Sequence, residues 1–214
     1  MDDFFAYAAR GTKTLYRDKP LLPDQLYHVF NRRDDGADVF RDDEDKEVFE
    51  NAVKRFIRPD LYTDGRGRRA TERENDVTLL AYCVLDTHYH LVLRQLTAMA
   101  MSKFMQSVMS SYAQRFNRKY ERSGPLFDGP YQARPILSTR HLKKAIAYTH
   151  ANPESPHGYR WSGHRFYEDE QLDSDTSWFD ATAGLRVYGS LDEYRVWFER
   201  EVEERARRRK RKGR

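Results

Sequence analysis

Residues 77–86, VTLLAYCVLD, form the most strand-like run in the chain, and a second run, 88–94 (HYHLVLR), follows almost at once. Runs rich in β-branched and aromatic residues read as strands, and two strands this close in sequence belong to an antiparallel sheet. The other elements fall around this pair. Residues 26–32 (LYHVFNR) read as a strand. Asp42 or Asp43 caps a helix over 44–58, with Val48, Ala52, Val53, Phe56 and Ile57 on one face, and Arg58-Pro59 ends it. Residues 59–75 are polar and contain glycine, which predicts a solvated loop. Residues 98–121 read as a long helix, broken by Ser123-Gly124-Pro125, and 126–137 as an extended segment whose Pro and Gly suit an edge strand. Ser138 or Thr139 caps a helix running to about Ala151, closed by Asn152-Pro153. After a linker, 190–207 make a final charged helix that runs into a basic tail. This order predicts an α+β fold, an antiparallel sheet with helices packed on one face.

The 214 residues suit one domain with terminal extensions. Mean hydropathy is −0.93 and no run approaches the ~18 apolar residues of a membrane helix. The N-terminal MDDFFAYAARG lacks the apolar stretch of a signal peptide. A lone cysteine, Cys83, excludes a disulfide framework and a multi-cysteine zinc site, and within an apolar strand it reads as inert core. These features predict a cytoplasmic protein without membrane contact. The net charge of +4 is uneven. The last ten residues, RARRRKRKGR, hold eight Arg/Lys, whereas the other 204 carry 30 bases against 34 acids. Within that body, residues 94–144 hold ten Arg/Lys against only Glu121 and Asp128. Such a basic segment suits a polyanionic partner.

Two phrases carry chemistry. In Thr87-His88-Tyr89-His90-Leu91, strand alternation puts His88 and His90 side by side, ~7 Å apart at their roots, with Tyr89 on the opposite face. Two such imidazoles can converge on a divalent ion; the phrase equally fits two histidines each satisfied by a nearby carbonyl. In KAIAYTHANP, Lys144, Tyr148 and Asn152 recur at i, i+4, i+8 on one helix face. That row holds a phosphate-seeking ammonium, a hydroxyl and an amide oxygen; it also fits a core tyrosine and a routine Asn-Pro helix stop. Together the two phrases describe a metal polarising a phosphodiester while a tyrosine attacks it.

On these residues the chain resembles the single-tyrosine HUH transposases, most closely the REP-associated tyrosine transposases. Leu85-Asp86-Thr87-His88-Tyr89-His90-Leu91 matches the family's His-hydrophobic-His phrase, with Asp86-Thr87 where Pro-Asn is usual. Tyr148-Thr149-His150-Ala151-Asn152-Pro153 matches its Tyr-x-x-x-Asn-Pro helix, with Glu154 following where an apolar residue is commoner. Phe116-Asn117-Arg118-Lys119-Tyr120 and Arg122-Ser123-Gly124-Pro125-Leu126-Phe127 match the intervening phrase, Tyr27-His28-Val29-Phe30-Asn31-Arg32 the first strand, and Trp161-Ser162 a downstream one. The resemblance implies a ferredoxin-like α+β domain. It implies that Tyr148 is the nucleophile, joined to the 5′ side of a break in single-stranded DNA, and that His88, His90 and Asn152 bind Mg²⁺ or Mn²⁺. Its implied substrates are folded single strands, often imperfect hairpins, acted on by a monomer or homodimer.

The expected organisation is then an N-terminal lead (1–25), a transposase-like catalytic domain (26–166), a C-terminal helical extension (167–204) and a basic tail (205–214). Arg115, Arg118, Lys119, Arg122, Arg134, Arg140, Lys143 and Lys144 are the candidate phosphate contacts, with Tyr120, Phe127 and Tyr131 available to stack unpaired bases. The tail reads either as sequence-independent affinity for nucleic acid or as solubilising charge. His28, His141, His157 and His164 read as structural or exposed, and His150 points away from the face of Tyr148. The competing functions are a hairpin-binding module of the same fold that does not cut, a water-using two-histidine phosphoesterase and a structural zinc domain. No histidine is followed at i+2 by Ser or Thr, which argues against the second; the single cysteine argues against the third.

Overall fold

The computed structural model describes residues 20–33, 35–61, 76–168 and 176–212. Residues 1–19 of the N-terminal lead and 62–75 of the expected loop lie outside them. Four strands, β1 (Gln25–Arg32), β2 (Val77–Val84), β3 (His88–Gln95) and β4 (Gln132–Pro135), form one sheet in the order β2-β3-β1-β4, every neighbouring pair antiparallel. Helix α1 (Asp43–Ile57) connects β1 to β2, and α2 (Ala100–Lys119) connects β3 to β4. This βαββαβ path through an antiparallel sheet is the ferredoxin-like arrangement. The short β4, ending in Pro135, lies at the edge, where a missing N–H costs no ladder bond.

Local signals explain the helices. Asp42 caps α1 by accepting from the Asp45 N–H at 2.9 Å, and Asp43, Glu44 and Asp45 fill the positive first turn. Helix α2 has no side-chain cap at Met99; instead the buried Gln95 of β3 accepts from the Met101 N–H at 3.1 Å. Ser138 caps α3 (Thr139–His150), accepting from the His141 N–H.

Both α1 and α2 cover the sheet face that carries Tyr89, Leu91 and Leu93. There Phe49 stands against Tyr89 and Tyr112 at 4.9 and 5.5 Å between ring centres. Beyond that expected layer, α3 covers the opposite face, where His28 of β1 and His90 of β3 meet the Tyr148 ring. From Ala145 to His150 every residue of α3 is buried, because α5 (Ala181–Tyr188) and α6 (Leu191–Lys212) pack on its far side. A short α4 (His164–Glu168) precedes α5. Helix α6 extends to Lys212, through most of the basic tail. Arg207 pairs with Glu203 and Arg208 with Glu204 one turn back, and cations at a helix C-terminus suit its dipole. Among the described residues no helix is long and apolar enough to cross a membrane.

Candidate active site

Strand pleating puts the His88 and His90 rings on the α3 face of the sheet, 5.0 Å apart and nearly perpendicular. Their Nδ1 atoms are both engaged: Thr87 Oγ1 lies 2.8 Å from His88 Nδ1, and His28 Nε2 lies 2.9 Å from His90 Nδ1. Burial pushes His88 down to about 4 and holds His90, which also faces His28 and His88, well below the ordinary imidazole value. Both rings are therefore neutral at pH 7 and carry a ligand lone pair. Cys83 of the adjacent strand is fully buried, and burial raises its thiol far above the usual range.

Helix α3 brings the other groups. Tyr148, 7% exposed, presents its ring edge-on to His90 and His28, with centroids 5.6 and 5.9 Å away. Asn152, just past the helix end, is buried; its Oδ1 lies 3.4 Å from His88 Nε2, and its Nδ2 has no hydrogen-bond partner among the described residues. The 3.4 Å separation is near the ~3 Å expected of two donors each ~2.1 Å from one small cation. Two neutral imidazoles and an amide oxygen form a mixed N/O set that suits Mn²⁺ or a partly hydrated Mg²⁺. Among the described residues no cluster of three or more His, Cys, Asp or Glu is placed to hold a metal. A cation here would rest on His88, His90 and Asn152.

Lys144 stands one turn before Tyr148, its Nζ 4.0 Å from the buried Glu201 of α6. Burial raises the Glu201 carboxyl above its ordinary value. Arg205, one turn further along α6, enters the site itself. Its guanidinium lies over the Tyr148 ring, 4.7 Å from the centroid, and donates to Asn152 Oδ1 at 2.7 Å and Asn152 O at 3.2 Å. Arg209 donates to the carbonyls of Asn152, Pro153 and Glu154, in the turn that follows α3.

The remaining basic candidates divide by sheet face. Arg134 of β4 lies on the histidine face, its strand position paired with His28 and its guanidinium 5.2 Å from the Phe30 ring. Arg140 is exposed on the first turn of α3, and Lys143 pairs with Glu193 of α6. Arg115, Arg118, Lys119 and Arg122 lie on or just after α2, across the sheet from Tyr148. Arg115 and Arg118 are exposed. Arg122 packs over Phe116, while Lys119 bonds Asp42, Glu44 and Asp45 at the start of α1. Tyr120 donates to Asp45 at 2.8 Å, in the same acidic cluster.

Two site neighbours escaped sequence reasoning. Of the structural or exposed roles expected for His28, the exposed one is excluded: it is 2% exposed and touches both His90 and Tyr148. Arg205 was counted only as tail charge. Its signal was present: Tyr194, Phe198, Glu201 and Arg205 continue one helical stripe, and the first three are buried. His150 turns away as expected, its Nδ1 2.9 Å from the Tyr194 hydroxyl.

Comparison with known proteins bears on the segment that contains this site. No curated protein matches the chain. A solved structure of a REP-associated tyrosine transposase bound to a REP hairpin is similar, at 15% identity and a TM-score of 0.49, over 71% of this chain and 84% of that one. Residues 67–151 match the family model for IS200-like transposases, a span that includes His88, His90 and Tyr148 and stops one residue before Asn152. Over that span, from the histidine strand to the tyrosine helix, the chain is similar to the IS200-like transposases, the family its own residues resemble.

Proposed function

We propose that this protein nicks single-stranded, hairpin-containing DNA and transfers the strand through a 5′-phosphotyrosine on Tyr148. The observation that carries the reading is convergence: His88 and His90 from β3 and Tyr148 and Asn152 from the α3 end meet on one face of the sheet. In the reaction the Tyr148 oxygen bonds to the scissile phosphorus and gives up its proton. The bond from phosphorus to the 3′ oxygen breaks, and that oxygen leaves as a hydroxyl after taking up a proton. The phosphotyrosine keeps the energy of the broken ester, so attack by a second 3′ hydroxyl rejoins DNA. His88, His90 and Asn152 would hold Mg²⁺ or Mn²⁺, which supplies Lewis-acid polarisation of the phosphodiester when bound. Tyr148 is 7% exposed, a burial that would keep competing water away from the linkage. Arg134 and Arg140 stand on the same side to meet DNA phosphates.

The alternative, a hairpin-binding module that does not cut, is favoured by one observation: Arg205 covers the Tyr148 ring and bonds the Asn152 oxygen. A cleavage assay separates the two. Labelled hairpins taken from DNA flanking the gene are incubated with Mn²⁺ or Mg²⁺ and resolved on a denaturing gel. Nicking by the natural protein, lost with Tyr148→Phe, with His90→Ala and with chelator, is the expected result. Tight binding with no cut product from any of those hairpins supports the binding module.

A further inference from the structure

We infer that His28 is a positioning residue for His90: it accepts the proton on His90 Nδ1 and so leaves His90 Nε2 open toward the site. This rests on the metal-binding reading above and deepens it. The two residues come from neighbouring strands, where His28 is diagonal to His90 across the β1–β3 ladder. Their rings lie nearly parallel, 14° apart with centroids at 5.0 Å, and His28 Nε2 is 2.9 Å from His90 Nδ1. At 2% and 4% exposure the rings are sealed from water. A hydrogen bond between two imidazoles holds one proton, so one ring donates and the other accepts.

The direction follows from what His90 must do. A ring that binds a cation through Nε2 carries its proton on Nδ1 and needs an acceptor there; a fixed acceptor sets both tautomer and ring angle. Thr87 Oγ1 stands at the same atom of His88, 2.8 Å from Nδ1. The two histidines therefore have equivalent support, one from the preceding residue and one from β1. His28 also lies edge-on to Tyr148, which ties the ring that orients the ligand to the helix that carries the hydroxyl. Nothing in the local sequence around the His-Tyr-His phrase reveals this partner, which is 62 residues away.

The test reads the tautomer directly. Nitrogen-15 long-range spectra of the metal-free natural protein should show His90 protonated at Nδ1; protonation at Nε2 overturns the proposal, and this reading needs no variant to fold. Titration with Mn²⁺ alone then compares His28→Leu, His28→Gln and His90→Ala, each first checked for folding by circular dichroism. Gln sets an amide oxygen near the position of His28 Nε2 and should hold affinity within a few-fold, whereas Leu should weaken it by about 10–100-fold. If His90→Ala abolishes Mn²⁺ binding while His28→Leu leaves affinity and tautomer unchanged, the positioning role fails and the metal site stands. If His90→Ala changes nothing, the metal site itself fails.

Discussion

Asn152 Oδ1 accepts from one cation, Arg205, and is proposed to bind another. It accepts from the Arg205 guanidinium at 2.7 Å and lies 3.4 Å from His88 Nε2, where a divalent ion would need it. A guanidinium and a metal compete for one oxygen, so Arg205→Ala should tighten Mn²⁺ binding several-fold, read by titration calorimetry. The same change removes a cation–π contact and two hydrogen bonds, so it should also cost about 1–2 kcal/mol of stability. Unchanged or weaker Mn²⁺ binding would mean that Arg205 does not obstruct that oxygen. His88, His90, Tyr148 and Asn152 were legible in the sequence because their relations are periodic: two along a strand, four along a helix. His28 and Arg205 were not, since their places depend on which strand lies beside β3 and which helix lies on α3.

The elements that close the site are those the sequence described least. The linker expected before the helix at 190–207 contains α5, whose eight residues are too few for a strong helical pattern. Its Gly184 lets α5 approach Tyr167, whose hydroxyl donates to Leu80 O of β2 at 2.7 Å. A Cβ on Gly184 would come within 1.6 Å of that hydroxyl oxygen. Gly184→Ala should therefore destabilise the fold by about 1–3 kcal/mol through overpacking, despite the better helix propensity of alanine. Urea unfolding measures this, and a neutral or stabilising result would mean that α5 yields without cost. The long helices were easier to read: caps at Asp42 and Ser138 and the apolar faces of α1 and α2 matched the observed ends within a residue or two.

Across the whole molecule the sheet separates two kinds of chemistry. One face is a dry aromatic core under α1 and α2; the other carries neutral histidines under α3. Two of these rings, and His164 of α4, are held below their ordinary 6.5: His28 at about 3, through burial and nearby Arg134, and His88 and His164 at about 4, chiefly through burial. In the unfolded chain the same rings take up protons near 6.5. The stability linked to them is whole above pH 6.5 and is lost as pH falls toward 4, by about 1.4 kcal/mol per pH unit for each ring. Unfolding free energies measured from pH 7.5 to 4.5 should fall accordingly; a flat profile would mean that the rings are not buried neutral.

Element order was enough to predict the antiparallel α+β sheet, because βα, ββ, α, β leaves few ways to pair short strands. It did not reveal that the basic stretch 115–122 lies across the sheet from Tyr148, since charge along a chain carries no information about faces. The central claim concerns Tyr148, and the most direct measurement is mass spectrometry of the protein after reaction with a hairpin substrate and Mn²⁺. Trypsin releases Tyr148 and Tyr159 together in residues 145–160, and fragmentation separates them. A nucleotide mass on Tyr148 is the predicted result; an adduct on any other residue, or cleaved DNA with none, would contradict it.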